Sequence, residues 1–132
     1  MNTACGSEQK WRAGTLVRNI LITNSGLTSL VGEDIFPIIA PVGTLGNFIV
    51  YRRDKYAKEY TKTCVINETC QVIVSAVADD YDTAIDIAEM IDNTLTGTHT
   101  TEDGKRFNLR LLDASEDFND NKYVEALLFE IN

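Results

Sequence analysis

The pattern of apolar and polar positions along the chain predicts two amphipathic helices. One follows Trp11, and the other follows a pair of carboxylates, Asp79 and Asp80. In both segments the apolar residues recur at intervals of three and four, which places them on one face of a helix. They are Ala13, Leu16, Val17, Ile20 and Leu21 in the first segment and Ala84, Ile87, Ala88, Ile91 and Leu95 in the second. Asp79 and Asp80 suit a helix start because carboxylates accept hydrogen bonds from the free N–H groups there.

Four segments have the composition of β-strands: residues 47–56, 69–78, 106–114 and 122–131. The last two alternate apolar and polar residues, as half-buried strands do. A helical turn containing Leu27 and Val31 and a short extended run at Ile35 and Phe36 come before the first strand. Residues 98–105 are polar and predict a loop, and residues 115–121 predict a hairpin turn because they are rich in Asp and Asn.

These elements predict an α+β fold with the order α-β-β-β-α-β-β. We expect a mostly antiparallel four- to five-stranded sheet with two main helices packed on one face. We also expect residues 1–11 to be a loosely ordered N-terminal segment and residues 12–132 to be a single α+β domain. Several strands are apolar on both sides, so the second face of the sheet would be an open apolar surface. Such a surface usually marks an interface, and we therefore expect oligomerisation.

Composition narrows the possible partners. The chain of 132 residues has 12 Lys and Arg against 20 Asp and Glu, which gives a net charge of −8. An acidic surface repels phosphate backbones, so we expect no specific nucleic-acid binding. No apolar run approaches the ~20 residues of a membrane-spanning helix, and the N-terminus does not resemble a signal peptide, so we expect no membrane association and a cytoplasmic fold. Cys5, Cys64 and Cys70 form no CxxC pair, which predicts three reduced thiols.

The sequence predicts no catalytic, cofactor or metal site, and we expect a protein that is not an enzyme. The carboxylates between residues 79 and 89 do not form an EF-hand, because Ile85 and Ile91 stand where a loop counted from Asp80 needs Gly and Glu. The segment GTLGN at residues 43–47 lacks the lysine and the glycine spacing of a phosphate-binding loop. His99 has no nearby Ser or Cys that it could activate.

A candidate interface lies at the end of the strand 47–56 and just beyond it. Basic residues cluster there, and tyrosines, which are enriched at protein interfaces, lie among them. The candidate residues are Arg52, Arg53, Lys55, Tyr56, Lys58 and Tyr60. The basic cluster is also typical of a solvated strand end. Residues 55–68 could extend the strand into a hairpin arm that reaches a neighbouring molecule, or they could form a surface loop; their composition is compatible with both.

Three segments, in their order and spacing, resemble the tail-completion (tail-terminator) proteins of long-tailed bacteriophages. The first is GLTSLVGEDIFPIIAP at residues 26–41, which is similar to the family's helix end, its "LVG" and its short segment of Ile, aromatic residue and Pro. The second is FIVYRR at residues 48–53, which is similar to the family's apolar strand after a Pro/Gly turn. The third is CQVIVSAVADDYDTAIDIAEMIDNTL at residues 70–95, which resembles the family's strand, polar turn and Ala-rich helix. The resemblance extends over residues 12–131.

This resemblance implies a phage or prophage structural protein, without catalysis, that caps the tail tube and joins the tail to the head connector. It implies a homo-oligomeric ring, typically a hexamer, whose partners are the phage tail tube protein and the head–tail connector protein. It also implies assembly in the host bacterial cytoplasm and a final place in the virion, at the tail end next to the head. The alternative is a monomeric α+β binding adaptor that uses its open sheet face for a protein partner.

Overall fold

The computed structural model describes residues 10–62 and 64–132, without the side chains of residues 65–67. Most of the expected N-terminal segment lies outside the described residues, and its last residues belong to a 3₁₀ turn, Lys10–Arg12. The helices are α1 (Ala13–Leu21), α2 (Ser25–Val31) and α3 (Tyr81–Leu95). The strands are β1 (Ile35–Pro37), β2 (Phe48–Tyr60), β3 (Val65–Ala78), β4 (Gly97–Thr100), β5 (Arg106–Asn119) and β6 (Lys122–Ile131).

The strands form one six-stranded sheet in the order β1-β2-β3-β6-β5-β4, which curves into a half-barrel. β1 and β2 are parallel, and the other neighbouring pairs are antiparallel. The two strands at the centre, β3 and β6, pair from Cys70 opposite Ile131 to Ala78 opposite Tyr123. Register shifts at two places in β2–β3 and one in β5–β6 interrupt the ladders, and such bulges increase the local twist of a sheet.

The predicted architecture is therefore wrong: within residues 10–62 and 64–132 the sheet is mixed and has six strands, and three α-helices accompany it. Residues 38–47 lead the chain back along β1, so that β2 starts beside the first residue of β1. The two strands therefore run in the same direction. Gly97–Thr100 forms an edge strand, whereas the sequence predicts residues 98–100 as part of a loop because these polar residues give no apolar alternation. Ser25–Val31 is a separate helix, although its seven residues contain only a short apolar stripe.

The hydrophobic core lies between the helices and one face of the sheet. α1 contributes Ala13, Val17 and Leu21, and α3 contributes Ala84, Ile87, Ile91 and Leu95, which are all fully buried. The apolar stripes predicted from the sequence are thus largely the core-facing sides of the two helices. The sheet contributes Ile49, Tyr51, Cys70, Val72, Val74, Leu109, Leu127, Phe129 and Ile131, among others. We call this side of the sheet the helix face and the other side the open face.

Polar side chains fix the starts of the helices. The Asp80 carboxylate accepts a hydrogen bond from the Thr83 N–H at 3.1 Å, which confirms the predicted start of α3. Asn24 caps α2 in the same way by accepting from the Leu27 N–H at 3.1 Å. The Asn24 side chain also donates to the Thr94 hydroxyl at 2.6 Å and so joins the α1–α2 junction to the last turn of α3.

The β5–β6 hairpin is longer than the sequence predicts. β5 continues to Asn119, and its turn consists of Asp120 and Asn121, which have φ values of 52° and 61°. Two successive positive φ values are typical of the type I′ turn that joins two-residue hairpins, and Asp and Asn tolerate this conformation. The prediction of a turn over residues 115–121 is wrong in extent because the polar residues 113–119 belong to a solvated strand.

Candidate interface surfaces

The outer part of β2 and β3 forms a two-stranded arm. β3 pairs with β6 only from Cys70 onwards, whereas it pairs with β2 from Val65. In the described part of the chain, residues 57–60 and 65–69 therefore have no third strand beside them. The Thr61 N–H donates to the Cys64 carbonyl at 2.8 Å and closes the connection between the two strands. Of the two possibilities that composition left open for residues 55–68, the structure has the hairpin.

A β-bulge divides the six candidate residues between the two faces of the sheet. Arg53 pairs with Val72 and Lys55 pairs with Gln71, so that Asp54 is the extra residue. Beyond the bulge the alternation is reversed, and Tyr56 lies opposite the buried Cys70 on the helix face. Arg53, Tyr56, Lys58 and Tyr60 consequently share the helix face, whereas Arg52 and Lys55 share the open face. Simple alternation along residues 47–56 could not show this division.

The helix-face group is tied to the N-terminal 3₁₀ turn. The rings of Trp11 and Tyr56 meet edge to face with 4.8 Å between their centroids, and the Arg53 guanidinium lies 4.9 Å from the Trp11 ring centroid. Arg53 also donates to the Trp11 carbonyl at 3.2 Å. The Tyr56 hydroxyl accepts from the Lys10 N–H at 3.1 Å and donates to Glu68 at 2.8 Å. Arg53 and Tyr56 thus anchor the base of the arm, while Tyr60 near its tip is 67% exposed.

The open face of the sheet is apolar at its centre. The apolar residues that line it are Phe36, Phe48, Val50, Ile73, Val77, Val124, Ala126 and Leu128, and most of them are half-buried. No helix of the described chain packs against this face. A depression of about 150 Å³ on this side is lined by Ile73, Asp113, Ala114, Ser115, Ala126 and Leu128. An apolar surface of this kind is typical of a protein–protein interface.

A second apolar surface is the loop between β1 and β2, residues 38–46, which we call the apolar loop. Four of its aliphatic side chains are exposed, and Val42 is fully so. The loop has no charged residue. Ile38 has φ 69°, a left-handed conformation that is strained for a β-branched residue. The sequence analysis identified the Pro and Gly residues of this loop but did not predict that its aliphatic side chains are exposed. The signal that could have indicated this is a run of aliphatic and turn-forming residues without a charge.

Two carboxyl groups meet on the helix face of the β5–β6 hairpin. Glu116 and Glu125 lie directly opposite each other, and the Tyr81 hydroxyl donates to Glu116 at 2.7 Å. Burial, the hydrogen bond with Glu116 and the charge of Glu116 raise the pKa of Glu125 to about 7. The hydrogen bond to Glu116 likewise raises the pKa of Tyr81. The contact can therefore retain a proton near neutral pH.

The remaining sequence candidates have structural roles. The His99 ring is hydrogen-bonded through Nε2 to the Leu95 carbonyl at 2.6 Å and stacks on Phe107. Residues 43–47 form part of a turn in which Gly43 and Gly46 have positive φ. Within residues 10–62 and 64–132 no group of three His, Cys, Asp or Glu side chains could hold a metal ion.

The prediction of three reduced thiols is wrong, because it includes Cys64. Cys64 is disulfide-bonded. Cys70 is a buried free thiol, and burial raises its pKa. Cys5 lies outside the described residues. Across the part of the chain that the structure describes, no helix is both long enough and apolar enough to span a membrane.

The fold has a counterpart among solved structures. A chain in the virion of a native gene transfer agent (GTA) particle matches with a TM-score of 0.70 at 20% sequence identity, over 87% of this chain and 89% of that chain. At this level of identity the match establishes a shared fold. No family model matches the sequence, and a comparison with curated proteins finds no match.

Proposed function

We propose that this protein is a phage or prophage structural protein that caps the tail tube and joins the tail to the head connector as a ring-forming subunit, without catalysis. The observation that carries the coarser part of the proposal, a virion structural protein, is the shared fold with a chain of a gene transfer agent virion over nearly the whole of both chains. The order of motifs at residues 26–41, 48–53 and 70–95, which resembles the tail-completion proteins, supports the specific role. The proposed partners are other copies, the tail tube protein and the head–tail connector protein, in the host bacterial cytoplasm and then in the virion.

The surfaces of the subunit are suited to assembly. The apolar loop and the open face are separate apolar surfaces, and a folded protein that exposes such patches usually covers them with another protein. Two different surfaces on one subunit permit head-to-tail contacts, which form a ring when the rotation from one subunit to the next closes. The charge of −8 also fits a ring around DNA, since an acidic channel wall does not hold phosphates.

Oligomeric state and tail binding test this proposal. We expect the purified protein, alone or mixed with tail tubes, to form closed rings that size-exclusion chromatography with light scattering and electron microscopy detect. A protein that stays monomeric at all micromolar concentrations and does not bind tail tubes contradicts the proposal. The second candidate function is a binding adaptor, because the apolar open face could also bind a single protein partner. A monomer that binds one protein through this face would support the adaptor instead.

We further propose that the arm reaches a neighbouring subunit or the tail tube, through residues such as Lys58 and Tyr60. Replacing residues 58–68 with an Asn-Gly turn removes the outer arm, joins the paired residues Ala57 and Thr69, and leaves Arg53 and Tyr56 at its base. We expect this variant to fold but to assemble poorly on tails. Both proteins are compared in reducing buffer, because the deletion also removes the disulfide-bonded Cys64. Unchanged ring and tail assembly refutes the role of the arm.

A further inference from the structure

Charge is distributed unevenly along the strand direction of the sheet. One end holds the β5–β6 turn and the start of α3, residues 113–125 and 79–82, and we call it the hairpin end. These residues include eight Asp and Glu and a single base, Lys122. The opposite end carries the arm, where residues 52–69 include five Lys and Arg and three Asp and Glu. The subunit is therefore basic at the arm and strongly acidic at the hairpin end.

The two ends are too far apart to meet within one subunit. β3 runs from one to the other: Val65 pairs with Tyr60 near the tip of the arm, and Ala78 pairs with Tyr123 beside the β5–β6 turn. At 3.2–3.4 Å per residue, this length of strand spans about 40 Å. The oppositely charged ends can therefore come together only between two copies of the chain.

Two carboxylates of the hairpin end lie in an unfavourable position. Glu116 and Glu125 are directly opposite each other on the helix face, and like charges in this arrangement destabilise a sheet. We call them the carboxylate pair. Lys122 is engaged elsewhere, since its ammonium lies 2.6 Å from the Asp79 carboxylate. A cation supplied by another molecule would offset the repulsion within the pair.

Aromatic rings lie beside the carboxylate pair. The Tyr123 ring is 4.8 Å from the Phe118 ring and 5.7 Å from the Tyr81 ring, measured between centroids. Phe118 is 52% exposed and Tyr81 is 42% exposed. Carboxylates beside exposed rings suit a lysine, which can form an ion pair with the first and pack on the second. They equally suit a tyrosine, because aromatic residues are enriched at protein interfaces.

The tip of the arm carries these two kinds of side chain. Tyr60 is 67% exposed, and Lys62, in the connection between the two strands of the arm, is also exposed. Two of the three acids in this segment, Asp54 and Glu68, are hydrogen-bonded within it. Cations consequently predominate at the tip. The arm extends about 13 Å beyond β6, so its tip can reach the surface of a neighbouring molecule.

We propose that the tip of the arm of one copy docks on the hairpin end of the next copy, with Lys62 at the carboxylate pair and Tyr60 against the exposed rings. This docking rests on the proposed function and names the surface that the arm contacts, which belongs to another copy of this chain and not to the tail tube protein. The two surfaces lie at opposite ends of the subunit, so every copy can use both at once. A ring built from head-to-tail contacts has this requirement.

Photo-crosslinking tests the docking directly. Tyr60 is replaced by p-benzoylphenylalanine, and a mixture of unlabelled and ¹⁵N-labelled protein is irradiated alone and with tail tubes. We expect crosslinks between copies to the tryptic peptides 111–122 or 123–132, which form the hairpin. The same replacement at Ile22, which is 45% exposed on another surface, is the control and should give no such crosslink. Crosslinks from position 60 only to the tail tube protein or to other parts of this chain overturn the docking, and so does their absence from assembled protein.

A double-mutant cycle supplies an independent test. K62E brings a further carboxylate to the carboxylate pair, and we expect it to weaken self-association about fivefold in analytical ultracentrifugation. E116K gives Glu125 an opposite charge as its neighbour, so K62E should cost about twofold or less in that background. Lys105→Glu and Glu89→Lys make the same charge changes at exposed positions elsewhere and serve as controls. Additive effects of K62E and E116K, or effects equal to those of the controls, contradict the docking.

Failure of the docking is distinguishable from failure of the proposed function. Rings on tails in which position 60 crosslinks only to the tail tube protein overturn the docking and leave the function intact. Crosslinks to the hairpin between copies that never bind tails support the docking and remove the function. A protein that does not assemble at 100 μM, with or without tail tubes, contradicts both.

Discussion

Protonation of the Glu116–Glu125 contact is expected to make the stability of this protein depend on pH. The pKa of Glu125 is raised from 4.5 to about 7 in the folded protein, chiefly by burial and then by Glu116. The folded state therefore retains a proton that the unfolded chain releases near pH 4.5. Because the folded state binds more protons between these two values, the free energy of unfolding falls as pH rises through this window.

The size of this effect follows from the pKa difference. Each pKa unit corresponds to 1.36 kcal/mol, so a rise from 4.5 to about 7 sets an upper limit of about 3 kcal/mol. Glu125 is only partly buried, and water screens its interaction with Glu116. We therefore expect a loss of about 1–2 kcal/mol between pH 5 and pH 8. The titratable groups that act together with Glu125 are Glu116 on β5 and Tyr81 on α3.

The variant Glu125→Gln isolates this contribution because it keeps the shape of the side chain and removes its titration. Urea unfolding at pH 5, 6, 7 and 8 should show the variant close to wild type at pH 5 and about 1–2 kcal/mol more stable at pH 8. Glu89→Gln on the exposed side of α3 is the control for the loss of one negative charge. A difference between E125Q and wild type that does not change with pH, or that matches the control, refutes the reasoning.

Three further predictions concern the core and the apolar loop. Phe129→Ala removes a fully buried ring from the central strand β6 and should reduce the free energy of urea unfolding by about 3–5 kcal/mol; a loss below about 1 kcal/mol contradicts the assigned core. Ile38→Gly removes about 1–2 kcal/mol of strain from the left-handed backbone conformation and costs about 0.5–1 kcal/mol of backbone entropy. Thermal unfolding should therefore show a small stabilisation of the variant. A clear destabilisation would mean that the Ile38 backbone is not strained. Val42→Asp changes a fully exposed side chain, so its free energy of unfolding, measured by calorimetry, should lie within about 0.5 kcal/mol of the wild-type value. Light scattering should show weaker assembly of the same variant. Normal assembly would exclude the apolar loop as a contact between subunits.

The helices and the core were predictable because they depend on local periodicity. The stripes of α1 and α3 recur at helical spacing, and the residues that the structure buries are drawn from them. The start of α3 was equally accessible, since Asp80 is a capping residue directly before an apolar stripe. In these segments local preference and tertiary packing favour the same conformation, which is the condition under which sequence patterns are informative.

The parts of the fold that escaped prediction depend on pairing between distant residues. β4 is recognisable only from its hydrogen bonds to β5, because Gly97–Thr100 has no apolar alternation. The parallel pairing of β1 depends on the path of residues 38–47, which the Pro and Gly residues do not define. The division of the candidate interface between two faces depends on the bulge at Asp54, and nothing in the alternation of residues 48–60 marks one.

The proposed function makes this protein a ring-forming component at the head-proximal end of a phage tail. Electron microscopy of particles that carry a gold-labelled C-terminal tag on this protein is the decisive experiment. We expect label at a single place in each particle, the junction between head and tail, with a ring of density at that position. Particles without label, or label distributed along the tail tube or over the head, would contradict it.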